Sequence, residues 1–137
     1  MTYHTILISL ILSANVLQAT IVDGDPTISK QVETPFPTVH NITIEWYIEG
    51  DENLDGTVEV MYRKKGAKPW LQAMPLRRIP SSSNLGFTWA NRHSGSIFDL
   101  EPNTEYEVKL DLVDPDGGST TRKINVSNGS KVRFNGY

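Results

Sequence analysis

Residues 100–112 read LEPNTEYEVKLDL, and this stretch decides the fold class of the chain. Pro102 and Asn103 are typical turn residues, and the turn that they predict leads into a strand. Hydrophobic and polar side chains alternate along that strand with a period of two, which is typical of a half-buried strand. Its buried face would carry Tyr106, Val108, Leu110 and Leu112. We also expect the Tyr106 hydroxyl to donate a hydrogen bond to the backbone of the preceding turn, at residues 100–103.

The same stretch resembles the L-x-P-x-T-x-Y-x-V motif of fibronectin type III domains. The matching positions are Leu100, Pro102, Thr104, Tyr106 and Val108. The resemblance implies an all-β fold, a seven-stranded immunoglobulin-like (fibronectin type III) β-sandwich, in which a tyrosine corner is typical. Such a scaffold does not by itself imply a function.

The remainder of the chain favours the same fold class, since short alternating segments are separated by turn residues and no segment after residue 19 has sustained helical periodicity. In residues 42–48 (ITIEWYI), Trp46 shares a face with three isoleucines, so we predict that it lies in the core. Tyr62 ends the next alternating segment. Further along, we expect a short edge strand at residues 73–78 and a serine-rich loop at residues 80–84.

The chain of 137 residues is long enough for one ordinary domain. Residues 1–19 resemble a signal peptide, because an apolar segment ends in small residues at Ala19, although residues 2–5 include no Lys or Arg. A buried N-terminal strand or helix is the alternative interpretation. We expect a lead-in at 20–33, a fibronectin type III-like domain at 34–126 and a tail or linker at 127–137. A signal peptide implies secretion to an extracellular or periplasmic space.

Composition excludes several classes of function. The chain has no cysteine, which excludes thiol catalysis, zinc–thiolate sites and iron–sulfur clusters. Its formal net charge of −3 argues against nucleic-acid binding, for which a basic surface is expected. No membrane span is expected once the signal peptide is removed, since the apolar segment is shorter than the roughly 20 residues that a span needs.

Several other segments, taken in order, resemble the N-terminal module of secreted bacterial proteins whose C-terminal part is a right-handed parallel β-helix of the pectate-lyase-like kind. The resemblance covers about residues 34–126. In that family, any catalytic activity on polysaccharides resides in the β-helix. We expect this chain to lack the β-helix, so the resemblance assigns it no catalytic residue. The resemblance assigns structural roles in the scaffold to six residues, namely Trp46, Tyr62, Leu100, Pro102, Thr104 and Tyr106.

The resemblance implies a secreted, non-catalytic accessory, spacer or adhesion module linked to extracellular polysaccharide processing. Its partners would be an extracellular polysaccharide or a downstream catalytic domain, and no cofactor is expected. Two alternatives remain open. The chain is a truncated N-terminal part of a β-helix polysaccharide lyase or hydrolase, or it is the N-terminal sandwich of a metallophosphatase.

A calcium candidate lies in the turn at residues 51–56, which reads DENLDG. Asp51, Asn53 and Asp55 match the opening of a calcium loop, in which oxygen ligands surround a sharp glycine turn. The remaining ligands and the flanking helices of that loop are missing, so we favour a solvated turn and no metal site. We also interpret Asp114 and Asp116 as solvated, and His40 and His93 as two separate surface histidines.

Aromatic and basic residues offer one more candidate surface. Trp70 and Trp89, together with Tyr47, would suit stacking against sugars, because aromatic rings match the apolar face of a pyranose. A basic patch that would attract an acidic polysaccharide is formed by Arg77 and Arg78 together with Arg63, Lys64, Lys65 and Lys68. The alternatives are that the tryptophans cover the edges of the sandwich and that the basic residues discourage pairing of exposed strand edges.

Overall fold

The computed structural model describes residues 24–129, and within this range all regular structure is β-strand. Because these residues form no helix, none of them belongs to a helix long and apolar enough to cross a membrane. The described strands are β1 (Ile28–Glu33), β2 (Ile42–Glu49), β3 (Thr57–Lys64), β4 (Leu71–Gln72), β5 (Arg77–Ile79), β6 (Ser82–Asn84), β7 (Phe87–Trp89), β8 (Arg92–Ile97), β9 (Glu105–Val113) and β10 (Thr120–Ser127).

The strands form two four-stranded antiparallel sheets and a separate hairpin. One sheet has the order β1-β2-β8-β5 and the other has the order β10-β9-β3-β4, while β6 pairs only with β7. Buried apolar side chains of both sheets belong to one hydrophobic cluster. The described fold is therefore all-β and sandwich-like, as the alternating sequence pattern predicted.

Trp46 lies at the centre of this shared core and is fully buried. Strand β2 alternates buried and half-buried residues from Ile42 to Ile48, and β9 does the same from Tyr106 to Leu112, so each strand turns one face inward. The Trp46 indole Nε1 donates a hydrogen bond to Ser29 Oγ at 3.1 Å, which satisfies its only polar atom. The predicted core position of Trp46 is confirmed.

The strand count differs from the predicted seven in the region between β3 and β8. The expected edge strand at residues 73–78 is replaced by a single bridge from Leu76 to Val58 and by the start of β5 at Arg77, while β4 ends just before it at Gln72. The expected loop at residues 80–84 contains β6, which pairs with β7. Strands of two or three residues are too short to show the alternation on which sequence-based prediction depends.

The described sheets extend beyond the predicted limits of the domain at residues 34 and 126. Strand β1 lies in the expected lead-in, where it pairs with β2 at the sheet edge and has an irregular register between Ser29 and Val32. Asn128, in the expected tail, is buried. Its side-chain amide donates to Val39 O at 2.9 Å and to Glu101 O at 2.7 Å, and its oxygen accepts from Thr104 N at 2.9 Å. The predicted signal peptide lies outside the described residues.

Tyr106 holds the turn that precedes β9. The residue is 3% exposed, and its hydroxyl oxygen accepts a hydrogen bond from the Glu101 N–H at 2.9 Å. Its burial and its bond to the turn are confirmed, but the direction of the bond is the reverse of the expected one. The turn supplies the donor, since the backbone N–H of Glu101 donates to the hydroxyl oxygen. Tyr62 packs nearby, with ring centroids 6.2 Å apart.

Replacing Tyr106 by Phe should lower the free energy of unfolding by about 1 kcal/mol, because the Glu101 N–H would lose its acceptor. Urea denaturation followed by circular dichroism measures this loss. Tyr47→Phe is the matched control, since it removes a hydroxyl bonded to the half-buried Glu45 carboxylate and should cost less. Equal stability of the Tyr106→Phe variant and the parent chain would contradict the assigned role.

Replacing Trp46 by Ala should lower the free energy of unfolding by roughly 3–5 kcal/mol, because a large side chain is deleted from a fully packed core. Chemical denaturation measures the change. Trp46→Phe should cost less and keep the chain foldable, so the effect stays measurable if the alanine variant does not fold. An unchanged denaturation midpoint for either variant would show that Trp46 is not the centre of the core.

Candidate functional site

Carboxylates converge at one end of the sandwich, where the β2–β3 turn meets the β9–β10 turn and residues 24–27. Asp51, Asp55 and Asp114 each place a carboxylate oxygen within 4.8 Å of the others. Asn53, the third member of the calcium candidate, donates its side-chain amide to Asp116 Oδ2 at 2.8 Å. The sequence thus identified two of these three carboxylates, and the fold supplies Asp114 from a distant turn.

Asp51 is committed to contacts within the protein. It is fully buried, its Oδ1 accepts from the Gly56 N–H at 2.9 Å, and its Oδ2 forms an ion pair with Arg78 Nε. Arg78 also donates to the Asp51 carbonyl at 3.0 Å and to Asn91 Oδ1. The expectation of a solvated turn is therefore wrong for Asp51, since a basic partner from β5 removes it from water.

Asp114 is likewise buried and bonded, which corrects its interpretation as a solvated residue. Its Oδ2 accepts from the Thr27 backbone N–H at 2.8 Å and from the Thr27 hydroxyl at 2.6 Å, and its Oδ1 accepts from the Asp116 N–H at 2.7 Å. Burial alone would raise the pKa of Asp114, but these hydrogen bonds outweigh it and hold the pKa below its ordinary value.

Asp55 is the exposed member of the group. Partial desolvation, together with repulsion from Asp116, Asp114 and Asp51, raises its pKa above the ordinary value. Oxygen ligands in this arrangement have the chemistry that Ca²⁺ prefers. Two of the three carboxylates, however, already accept hydrogen bonds from protein donors and one of them is paired with a guanidinium. The main role of the group is therefore structural: its buried carboxylates connect two turns and residues 24–27.

His93 is the most perturbed titratable group of the described residues. It is fully buried on β8, opposite Trp46 of β2 and Arg78 of β5, and neither ring nitrogen has a hydrogen-bond partner within residues 24–129. Burial and the nearby Arg78 charge lower its pKa to about 4, with Asp51 opposing them. The predicted surface position of His93 is wrong. His40 lies near the other end of β2, so the two histidines do not meet.

The structure separates the residues of the predicted sugar and basic surface. Trp70 lies beside β4, where the Arg63 guanidinium covers its ring at 4.3 Å from the centroid. Trp89 ends β7 and donates its indole N–H to Pro80 O at 3.0 Å. The two tryptophans belong to different strand systems and do not form one platform.

The basic patch is also divided. The side chain of Arg78 is only 10% exposed because it pairs with Asp51, so its prediction as a surface contact is wrong, whereas Arg77 is exposed. On the other sheet, Arg63, Lys64 and Lys65 pair with glutamates on or near β9, at positions 107, 101 and 105. These pairs neutralise much of the positive charge that would have attracted an acidic polysaccharide.

Comparison of the chain with models of known protein families finds no match, and a search among curated proteins finds none either.

The buried His93 should make the fold sensitive to mild acid. Its pKa is about 6.5 in an unfolded chain and about 4 in the folded protein, so the unfolded state takes up a proton that the folded state excludes. Above pH 6.5 this effect is absent. Between pH 6.5 and pH 4 it should remove on the order of 3 kcal/mol of stability.

Urea denaturation at pH 7 and at pH 4.5 tests this expectation, with His93→Leu as the comparison. The variant should lose less stability between the two pH values than the parent chain. Asp114 does not mask the difference, because a carboxylate with a lowered pKa loses its contribution only as the pH falls below about 4. Equal losses in both proteins would contradict the assigned protonation.

Proposed function

We propose that the chain is a secreted, non-catalytic fibronectin type III-like module that acts as an accessory, spacer or adhesion element linked to extracellular polysaccharide processing. The alternating core strands, the buried Trp46 and the turn bonded by Tyr106 support the fibronectin type III-like part. Secretion is supported by the apolar segment and small residues before Ala19.

The spacer role is supported by one observation, namely that residues 24–25 and residue 129 lie at opposite ends of the sandwich. Gly24 and Asp25 lie at the end that holds the carboxylates, where the Asp25 N–H donates to Asp116 Oδ2 at 3.2 Å. Gly129 lies at the other end, where its N–H donates to Thr38 O at 2.8 Å. Strands of eight or nine residues separate the two ends by roughly 25–30 Å. A module entered at one end and left at the other holds its flanking segments apart.

The strand order lends further support to the finer fold. Immunoglobulin-like sandwiches place their first, second, fifth and fourth strands in one sheet and their third, sixth and seventh strands in the other. The orders β1-β2-β8-β5 and β10-β9-β3-β4 correspond to this arrangement when β4 is counted as an additional edge strand and β6–β7 as an insertion.

The non-catalytic part of the proposal is supported by the use of the buried polar groups. General acid–base catalysis needs titratable side chains that reach a substrate in a cleft. Among the described residues, the buried Asp51 and Asp114 each accept hydrogen bonds that hold turns, and Asn128 joins the loops before β2 and β9. His93 lies inside the core. These groups therefore have structural tasks and lack access to a ligand.

Activity assays on the purified full chain test this proposal. We expect no release of reducing ends or unsaturated uronate from polygalacturonate, alginate or xylan, and no hydrolysis of p-nitrophenyl phosphate with or without added divalent cations. The Asp55→Asn variant is the matched control, because Asp55 is the most accessible carboxylate of the acidic end. Turnover by the parent chain that this variant loses would overturn the proposal.

A further inference from the structure

The β6–β7 hairpin stands outside both sheets and exposes large apolar side chains. Leu85 is 92% exposed and Phe87 is 77% exposed. The turn residues Leu85 and Gly86 both have positive φ, 47° and 85°, as in the tight two-residue turns of hairpins. Leucine is unusual in this left-handed conformation, because its Cβ approaches the following carbonyl. Leu85 thus occupies the tip of the hairpin, although its apolar side chain is exposed to water and its backbone conformation is unfavourable for leucine.

Residues 79–91, which contain the hairpin, include no charged residue, whereas 21% of the whole chain is charged. Apart from the apolar residues, the segment consists of serine, threonine, asparagine, glycine and proline. A surface of this composition has no charge to offer an ionic partner. Its complement is a ligand that is itself uncharged and carries both apolar faces and hydroxyl groups.

The register of the hairpin places two aromatic rings on one face. Ser82 lies opposite Trp89 and Asn84 lies opposite Phe87, so these four side chains share a face, while Ser83 and Thr88 share the other. Phe87 and Trp89 are two residues apart, which separates their attachment points by about 7 Å. The bond from the Trp89 indole to Pro80 O ties that ring to the root of the hairpin. We call the set Ser82, Asn84, Phe87 and Trp89 the hairpin face.

We infer that the hairpin face binds a neutral polysaccharide. The C–H faces of pyranose rings stack on Phe87 and Trp89, and the sugar hydroxyls exchange hydrogen bonds with the Asn84 amide and the Ser82 hydroxyl. The short turn and the tied indole hold the rings in place before binding, which reduces the entropy lost on association. This inference rests on the proposed link to polysaccharide, and it replaces the separated Trp70, Arg77 and Arg78 by one contiguous surface.

The same observations disfavour a lipid surface as the partner. The rings are interleaved with serine, threonine and asparagine, and burying these polar groups in hydrocarbon would be costly. The root of the hairpin is joined to the acidic end through Asn91, whose amide donates to Gly50 O at 2.9 Å, so carboxylates lie at the same end of the sandwich. Hydroxyl groups of a glycan, by contrast, match the polar side chains of the hairpin face.

Affinity electrophoresis of the full chain in gels containing hydroxyethylcellulose, arabinoxylan, galactomannan or mixed-linkage β-glucan tests the inference. We expect retardation by at least one of these neutral polysaccharides and a loss of apparent affinity of tenfold or more in Phe87→Ala. Trp89→Ala should weaken binding in the same gels. Phe36→Ala is the matched control, because Phe36 is 91% exposed but lies in the β1–β2 loop, and its mobility should equal that of the parent chain.

Thermal unfolding of each variant verifies that the fold is intact, since Phe87 lies outside the core cluster. The inference is overturned if none of the four polymers retards the parent chain, or if Phe87→Ala is retarded as strongly as the parent. Retardation by polygalacturonate alone would also overturn it, as would binding to phosphatidylcholine vesicles that Leu85→Asn abolishes. The non-catalytic proposal fails on a different measurement, namely turnover in the activity assays, so the two failures are distinguishable.

Discussion

The packing of Trp46 between the two sheets is the interaction on which the described structure depends. Strand β2 brings four buried residues to the interface from one side, and β9 brings four from the other. Because side chains alternate along a strand, a slip of one residue would move a whole row of apolar groups into solvent. Burial of these rows therefore fixes the register of β2 and β9, and the pairing of β1, β8, β3 and β10 follows from it.

The loops at the two ends of the sandwich are held by polar contacts outside the hydrophobic core. At one end, Asn128 uses both its amide nitrogen and its oxygen to join the loops before β2 and β9. At the other end, Asp114 binds Thr27, and Asp51 binds both Gly56 and Arg78. Each of these side chains is buried, so it would be costly if left unpaired. Polar groups that look available for chemistry in the sequence are thereby occupied in joining loops.

The features that could be predicted from the sequence are those that depend on local periodicity. The burial of Trp46 and Tyr106 is predictable because each belongs to a strand with at least seven alternating residues. Asp51, His93 and Asn128 could not be placed in this way. Asp51 is buried by Arg78, 27 residues away, and Asn128 is held by partners 24 or more residues away. His93 follows an arginine in a strand interrupted by Gly95, so its inward face has no clear apolar pattern.

The candidate site shows the same division between local and distant causes. Asp51 and Asp55 stand in one turn motif, so the sequence could indicate them, whereas Asp114 joins them only through the pairing of β9 with β3. The hairpin face could be predicted only in part from the sequence. Strands of three residues are too short for their alternation to show that Phe87 and Trp89 lie on one face with Asn84.

The buried ion pair links the core to the proposed binding surface. Arg78 precedes the hairpin and Asn91 follows it, and the Arg78 guanidinium contacts both Asp51 and Asn91 Oδ1. The Asn91 amide in turn donates to Gly50 O, and its carbonyl accepts from the Ile48 N–H at 3.1 Å. Both roots of the hairpin are thus tied to the β2–β3 turn, which is itself fixed by the core. The hairpin can project from the sandwich in a defined direction because a carboxylate with no access to solvent anchors its base, so the residue that first suggested a metal site serves instead to orient an uncharged, aromatic surface.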